Sequence, residues 1–180
     1  MQRNYFVGLL FFIFSLTNLV CKANFVSDSL TKKTTLCTNE EPTEVSNLNL
    51  ANDIQRYAKK FIGIRYKSCG KTAKGFDCSG YVGYVFKKFG MKLGACYTEM
   101  YKLGYDIEIK EALTGDLIFF RRGKSTKSGI SHIGIVVGSD SKGLKFIHSS
   151  TSKGVTISYL IDPYYSDHFV GIKRVINSFK

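Results

Sequence analysis

Three side chains in this sequence have the types and spacing for nucleophilic catalysis: Cys78, His132 and His148. Cys78 lies in the run Phe76-Asp77-Cys78-Ser79-Gly80-Tyr81-Val82, after which Val82, Val85, Phe86 and Phe89 recur at helical spacing and Gly90 closes the pattern. The pattern predicts a helix with Cys78 in its first turn. A thiol placed there faces unpaired backbone N–H groups and the positive end of the helix dipole, which predicts a lowered pKa and some thiolate near neutral pH. The competing reading is a small buried apolar residue, the commonest fate of a single cysteine.

The two histidines lie eight residues on either side of Asp140, in the turn Gly138-Ser139-Asp140-Ser141-Lys142-Gly143. A hairpin symmetric about Asp140 sets them opposite each other, with Cβ atoms about 4.5–5.5 Å apart. Their separation is even, so any even shift of register keeps them on one face. A thiol with an imidazole to take its proton and a second polar group to orient that imidazole is the arrangement of thiol hydrolases. Cys78 is assigned as nucleophile, His132 as general base and then acid, and His148 as the orienting residue. The third histidine, His168, follows the polar loop Asp162 to Asp167 and is expected at the surface. Cysteine and two histidines could also ligate zinc with a water in fourth place. However, no Cys-x-x-Cys or His-x-x-x-His pair occurs, and no carboxylate is placed to support the ligands, so no metal or other cofactor is expected.

Elements able to hold these groups follow in order. Leu50, Ile54, Tyr57, Ala58 and Phe61 predict a first helix ending near Gly63, followed by a short extended stretch, Ile64-Arg65-Tyr66. A weaker helix covers Tyr97 to Leu103. Strands are predicted at Leu117 to Phe120, Ser131 to Val137, Leu144 to His148, Gly154 to Ser158 and Phe169 to Val175. A basic loop from Arg121 to Gly129, with Arg122, Lys124 and Lys127, separates the first two. Helices first and an antiparallel sheet afterwards make an α+β domain over residues 50–180.

Met1 to Ala23 has the order of a secretory signal peptide: Arg3, an apolar run from Phe6 to Phe14, then polar and small residues ahead of Ala23. The run is too short for a membrane span, so none is expected after cleavage. Cys21 is the alternative point of a lipid anchor. Residues 24–49, rich in Ser, Thr, Asn and Lys, read as a flexible linker. The 180 residues, 44% hydrophobic, suffice for one core. Loss of residues 1–23 removes Arg3 and Lys22 and lowers the formal charge from +12 to +10. Such a charge favours polyanions. No nucleic-acid-binding signature is present, so an anionic cell-envelope polymer is the expected partner. Export also places Cys37, Cys69, Cys78 and Cys96 where disulfides can form.

Phe76-Asp77-Cys78-Ser79-Gly80, Thr114-Gly115-Asp116-Leu117-Ile118-Phe119-Phe120, Ser131-His132-Ile133-Gly134-Ile135 and Phe146-Ile147-His148, in this order, resemble the NlpC family of papain-like cysteine peptidases. Those bacterial enzymes cut the peptide stems of peptidoglycan. The resemblance implies a papain-like fold, with N-terminal helices packed on an antiparallel sheet of about five or six strands. It implies the same roles for Cys78, His132 and His148, and a place for Tyr66 beside the thiol, where its hydroxyl can help hold a tetrahedral intermediate. Asp77 and Ser79 are implied as walls of the substrate pocket; Asp77 also fits a helix cap. The sequence departs from the family at Arg65, where proline is common, at Cys69, where glycine is common, and at Cys96 in Leu93-Gly94-Ala95-Cys96. With Cys69 and Cys96 both expected at the cleft, they become candidates for a disulfide. The expected function is an exported, periplasmic or envelope cysteine endopeptidase that hydrolyses stem-peptide amides through a thioester. The alternatives are an amidase or transferase on a lipid or protein substrate, and a wall-binding module without activity.

Overall fold

The molecule is described from a computed structural model over residues 42–123 and 129–178. The expected signal peptide, Cys21, Cys37, the first part of the linker, Lys124 and Lys127 lie outside the described residues. Helix α1 (Pro42–Lys59) begins earlier than its apolar pattern predicts, so residues 42–49 are helical and not linker. The physical reason is that its first turns bury little. Val45 and Leu48 are exposed, and the helix enters the core only at Ala51, Ile54 and Ala58. Periodicity can report a helix only where one face is buried.

A two-stranded hairpin, β1 (Lys71–Thr72) and β2 (Gly75–Phe76), delivers the chain to α2 (Cys78–Lys87). After the short α3 (Tyr97–Met100) come β3 (Tyr105–Ile107), β4 (Leu117–Arg121), β5 (Ile130–Asp140), β6 (Gly143–Ser150) and β7 (Gly154–Tyr159). Helix α4 (Pro163–His168) and strand β8 (Phe169–Arg174) complete the sheet. Six strands run antiparallel in the order β3-β8-β4-β5-β6-β7. The fold is the expected α+β type, and α4 replaces the polar loop expected before His168.

Alternation along the strands sorts the side chains into two clusters. Leu117, Phe119, Ile133, Ile135 and Ile147 pack with α1 and α2, while Ile118, Phe120, Val136 and Phe146 pack on the other face with Leu160 and Tyr165. Asp116, only 1% exposed, explains the Thr-Gly-Asp motif ahead of β4. It takes two hydrogen bonds from the Arg174 guanidinium, both 2.9 Å, and one from the Leu113 amide. The motif is a buried charge pair that fixes β4 to β8, with Gly115 at φ +92 making the approach.

Candidate active site

Asp77 caps α2: its Oδ1 accepts from the Gly80 amide at 2.6 Å and from the Ser79 hydroxyl at 3.0 Å. Gly80 is required because a Cβ there would strike the Gly70 carbonyl, which itself accepts from the Asp77 amide. Cys78 is thereby fixed as the first residue of the helix, 7% exposed. Three amides, those of Ser79, Ile133 and Cys78 itself, interact with its sulfur and lower its pKa. Burial, followed by the charge of Asp77, outweighs them and holds the thiol above its ordinary value. The expectation of an acidified thiol is therefore corrected. Desolvation of the anion exceeds what the helix end returns, and the resting group is a thiol.

The histidines meet, although not in the expected register. Ile135 pairs with Ile147 and Val136 with Phe146, a bulge follows, and the hairpin turns on Ser141 and Lys142 alone. His148 is then in register with Gly134, two residues from His132. The even shift preserves their common face. His132 Nε2 lies 2.8 Å from His148 Nδ1, with the rings perpendicular. Gly134 makes this diagonal contact feasible, because a Cβ there would lie 2.8 Å from the Phe146 ring and 3.3 Å from His148 Cβ. A second bulge between Phe120 and Arg121 leaves Ser131 as an extra residue beside His132, a device that commonly re-aims side chains near active sites.

Two hydroxyls that the sequence reading missed complete the cluster. His148 Nε2 is 3.0 Å from Ser158 Oγ on β7 and 3.1 Å from the Tyr165 hydroxyl on α4. Burial pushes the pKa of His132 down to about 4. Burial, then the neighbouring charges of His132 and Lys153, push His148 down to about 3. Both rings are neutral near pH 7. One tautomer leaves His132 able to accept a proton: its Nε2–H donates to His148 Nδ1, and His148 Nε2–H donates to the hydroxyls. His132 Nδ1 then carries a free lone pair. Among the described residues no hydrogen bond joins Cys78 to either ring; the cysteine shares a buried cluster with Ile133, the residue after His132 on that strand.

This constellation can be set beside known proteins. The sequence profile described as the NlpC/P60 family matches residues 63–174, well over half of the chain. The chain belongs to the NlpC/P60 family. Murein DD-endopeptidase MepS/murein LD-carboxypeptidase of Escherichia coli (strain K12) is 34% identical over 134 residues, which cover 74% of this chain and 67% of that one. Gamma-DL-glutamyl hydrolase of Bacillus subtilis (strain 168) is 38% identical over 122 residues, 67% of this chain but 28% of its own. The crystal structure of an NlpC/P60 family protein from Bacillus cereus ATCC 10987 superposes with a TM-score of 0.64 at 28% identity, covering 70% of this chain and 40% of that one. The papain-like fold and the hydrolase class expected from the motifs both hold.

Within this NlpC/P60 domain, Tyr66 makes a parallel bridge to Phe76, flanked by hydrogen bonds from Lys67 N to Phe76 O and from Phe76 N to Arg65 O. Its hydroxyl pKa is raised first by burial and then by Cys78, Asp77 and Cys69, which places it in the field of the thiol. Ser149 Oγ donates to Phe76 O at 2.8 Å, tying β6 to the stretch ahead of Cys78. Cys69 and Cys96 are free thiols, so the expected disulfide is not formed. Cys96 is turned toward the Thr98 hydroxyl, 3.0 Å away. Cys69 sits at φ +56, a left-handed conformation that accounts for the glycine common there. Arg121, expected in the basic loop, is the last residue of β4 and donates to Asp167 O at 3.0 Å. His168 is on α4, partly exposed. Among the described residues no helix is long and apolar enough to cross a membrane.

Proposed function

We propose that this chain is an exported cysteine endopeptidase that cleaves amide bonds in peptidoglycan stem peptides. The observation that carries the reading is the hydrogen-bonded pair His132–His148, held by Ser158 and Tyr165, on the strand whose Ile133 shares a buried cluster with Cys78. In the proposed reaction the Cys78 sulfur attacks the amide carbonyl as its proton passes to His132 Nδ1. The oxyanion is held by the Cys78 amide and the Tyr66 hydroxyl. His132 returns the proton to the departing amine, leaving a thioester. Water, deprotonated by His132, then releases the acid and restores the thiol. A resting neutral pair suits this order, because proton transfer and attack occur together and no buried charge is stored beforehand. Asp77 and Ser79 border the acyl side of the cut. His148, Ser158 and Tyr165 act through His132 as positioning residues. The name of the Escherichia coli relative, a murein endopeptidase, supports a wall peptide as substrate. Export rests on the apolar run after Arg3, and anionic envelope polymer remains the partner suggested by the charge of +10 left after loss of residues 1–23.

Mass analysis of purified muropeptides tests this. The wild type should yield fragments whose masses sum to substrate plus water, and Cys78→Ala should yield none. Identical products from the two proteins would overturn the assignment. A second reading comes from the relative named gamma-DL-glutamyl hydrolase: the same thiol chemistry applied to γ-glutamyl amides outside the wall. Cleavage of poly-γ-glutamate with muropeptides left intact would favour it.

A further inference from the structure

One face of α2 is unused by the chemistry and opens onto a groove of about 880 Å³. Residues 79, 83 and 87 of the helix and their next neighbours line it, which is the i, i+4, i+8 stripe opposite Val82, Val85 and Phe86. The groove therefore starts at Ser79, beside the nucleophile, and ends at Lys88. At 1.5 Å per residue that is a run of about 13 Å, enough for about four residues of extended peptide at 3.3 Å each. Its floor is apolar, with Tyr57, Tyr84 and Met91. Its polar wall is cationic, because Lys71, Lys87, Lys88 and Lys92 all line it. Among the described residues none of these four is in an ion pair, whereas Lys110, Lys145 and Lys173 each are. Glu99, which lies against the lining residue Gly94, is bound to the Ala95 amide. Gly83 keeps the middle of the stripe low, since a Cβ there would already touch Met100 at 3.4 Å.

We propose that this groove is a binding subsite for a carboxylate-bearing peptide, seating the acidic segment of the substrate that lies beyond the bond presented to Cys78. The inference rests on the reading of the chain as a stem-peptide hydrolase, and it adds where the length and charge of the substrate are recognised. Peptide stems carry free carboxylates at short intervals. Four unpaired lysines beside an apolar floor match a chain of alternating carboxylate and alkyl groups. These ammonium groups are exposed and screened, so the recognition is salt-sensitive.

The test compares stem peptides with free and with amidated carboxylates. Lys87→Gln/Lys88→Gln/Lys92→Gln is set against Lys102→Gln/Lys110→Gln/Lys142→Gln, which loses the same charge elsewhere. The groove variant should raise KM for the free-carboxylate peptide about tenfold with kcat held, three exposed pairings at about 0.5 kcal/mol each. The control variant should leave KM unchanged, and amidated peptide should show the raised KM already with wild-type protein. Equal KM values for the two variants, or for the two peptides, would overturn the proposal. Fluorescence anisotropy of labelled acidic tetrapeptide on Cys78→Ala protein reads the same subsite without turnover. If the wild type cuts no stem peptide, the hydrolase reading fails and anisotropy still decides the groove. Loss of inorganic polyphosphate binding in the groove variant, with peptide binding intact, would overturn the peptide assignment.

Discussion

Cys78 and its proposed base, His132, are held by opposite kinds of interaction. Cys78 is fixed by its immediate neighbours: the Asp77 cap reaches Gly80 three residues away, and the helix follows at once. His132 is fixed by residues distant in sequence, through His148 sixteen residues on and then hydroxyls on β7 and α4. The proposed nucleophile should therefore be less sensitive to remote change than the proposed base, although Ser149 also ties its loop to β6. The contrast also separates two motif aspartates. Asp77 acts within one turn, whereas Asp116 acts across 58 residues to Arg174.

Removing the proposed base is the most severe break. His132→Ala should lower kcat by about 10³-fold, while iodoacetamide still labels Cys78 and the melting temperature moves little. Cutting the distant support comes next: Ser158→Ala/Tyr165→Phe should lower kcat by about 10- to 100-fold with KM held, since His148 Nε2 loses both hydroxyl acceptors and the productive tautomer loses its anchor. Either single variant should retain most activity. If the double variant is indistinguishable from wild type, the histidine pair is self-sufficient and the contrast fails.

Proton binding sharpens the comparison on the imidazole side. His132 and His148 have folded pKa values of about 4 and about 3, below the unfolded value of 6.5, so the unfolded chain binds more protons between these limits. Stability is complete above pH 6.5 and is lost as pH falls. For His148, 1% exposed, the loss between pH 6.5 and 5 is on the order of 2 kcal/mol. Chemical denaturation at the two pH values measures it, and a stability that rises on acidification would contradict buried neutral rings. The acid limb of kcat/KM should likewise lie below pH 5.5, not near 6.5. The smallest effect belongs to the thiol. Asp77→Asn keeps the cap but removes the charge that raises the Cys78 pKa, so alkylation at pH 7 should quicken about threefold with stability within about 0.5 kcal/mol.

What could be read from the sequence divides along the same line. The helix start at Cys78 was legible because cap, cysteine and apolar stripe occupy one short run. The common face of His132 and His148 was legible because it depends only on parity, which survives a bulge and a two-residue turn. Their diagonal pairing was not, because the bulge after Val136 leaves no local mark. Ser158 and Tyr165 were hidden for a stronger reason: nothing near either residue indicates an imidazole, and only strand order brings β7 and α4 to it. The thiol pKa was misjudged because burial is a property of the packed molecule, while the helix end is visible in the string. The first turns of α1 escaped because they bury too little to be periodic.

The packing of Cys78 and Ile133 in one buried cluster has one more consequence. Since Ile133 follows His132, the thiol and its proposed base are tied to the same core. Separating them requires opening that core between α2 and the sheet. Heat inactivation should therefore coincide with global unfolding: residual activity and ellipticity followed on one sample should trace one curve, with no folded but inactive state preceding the collapse of the sheet.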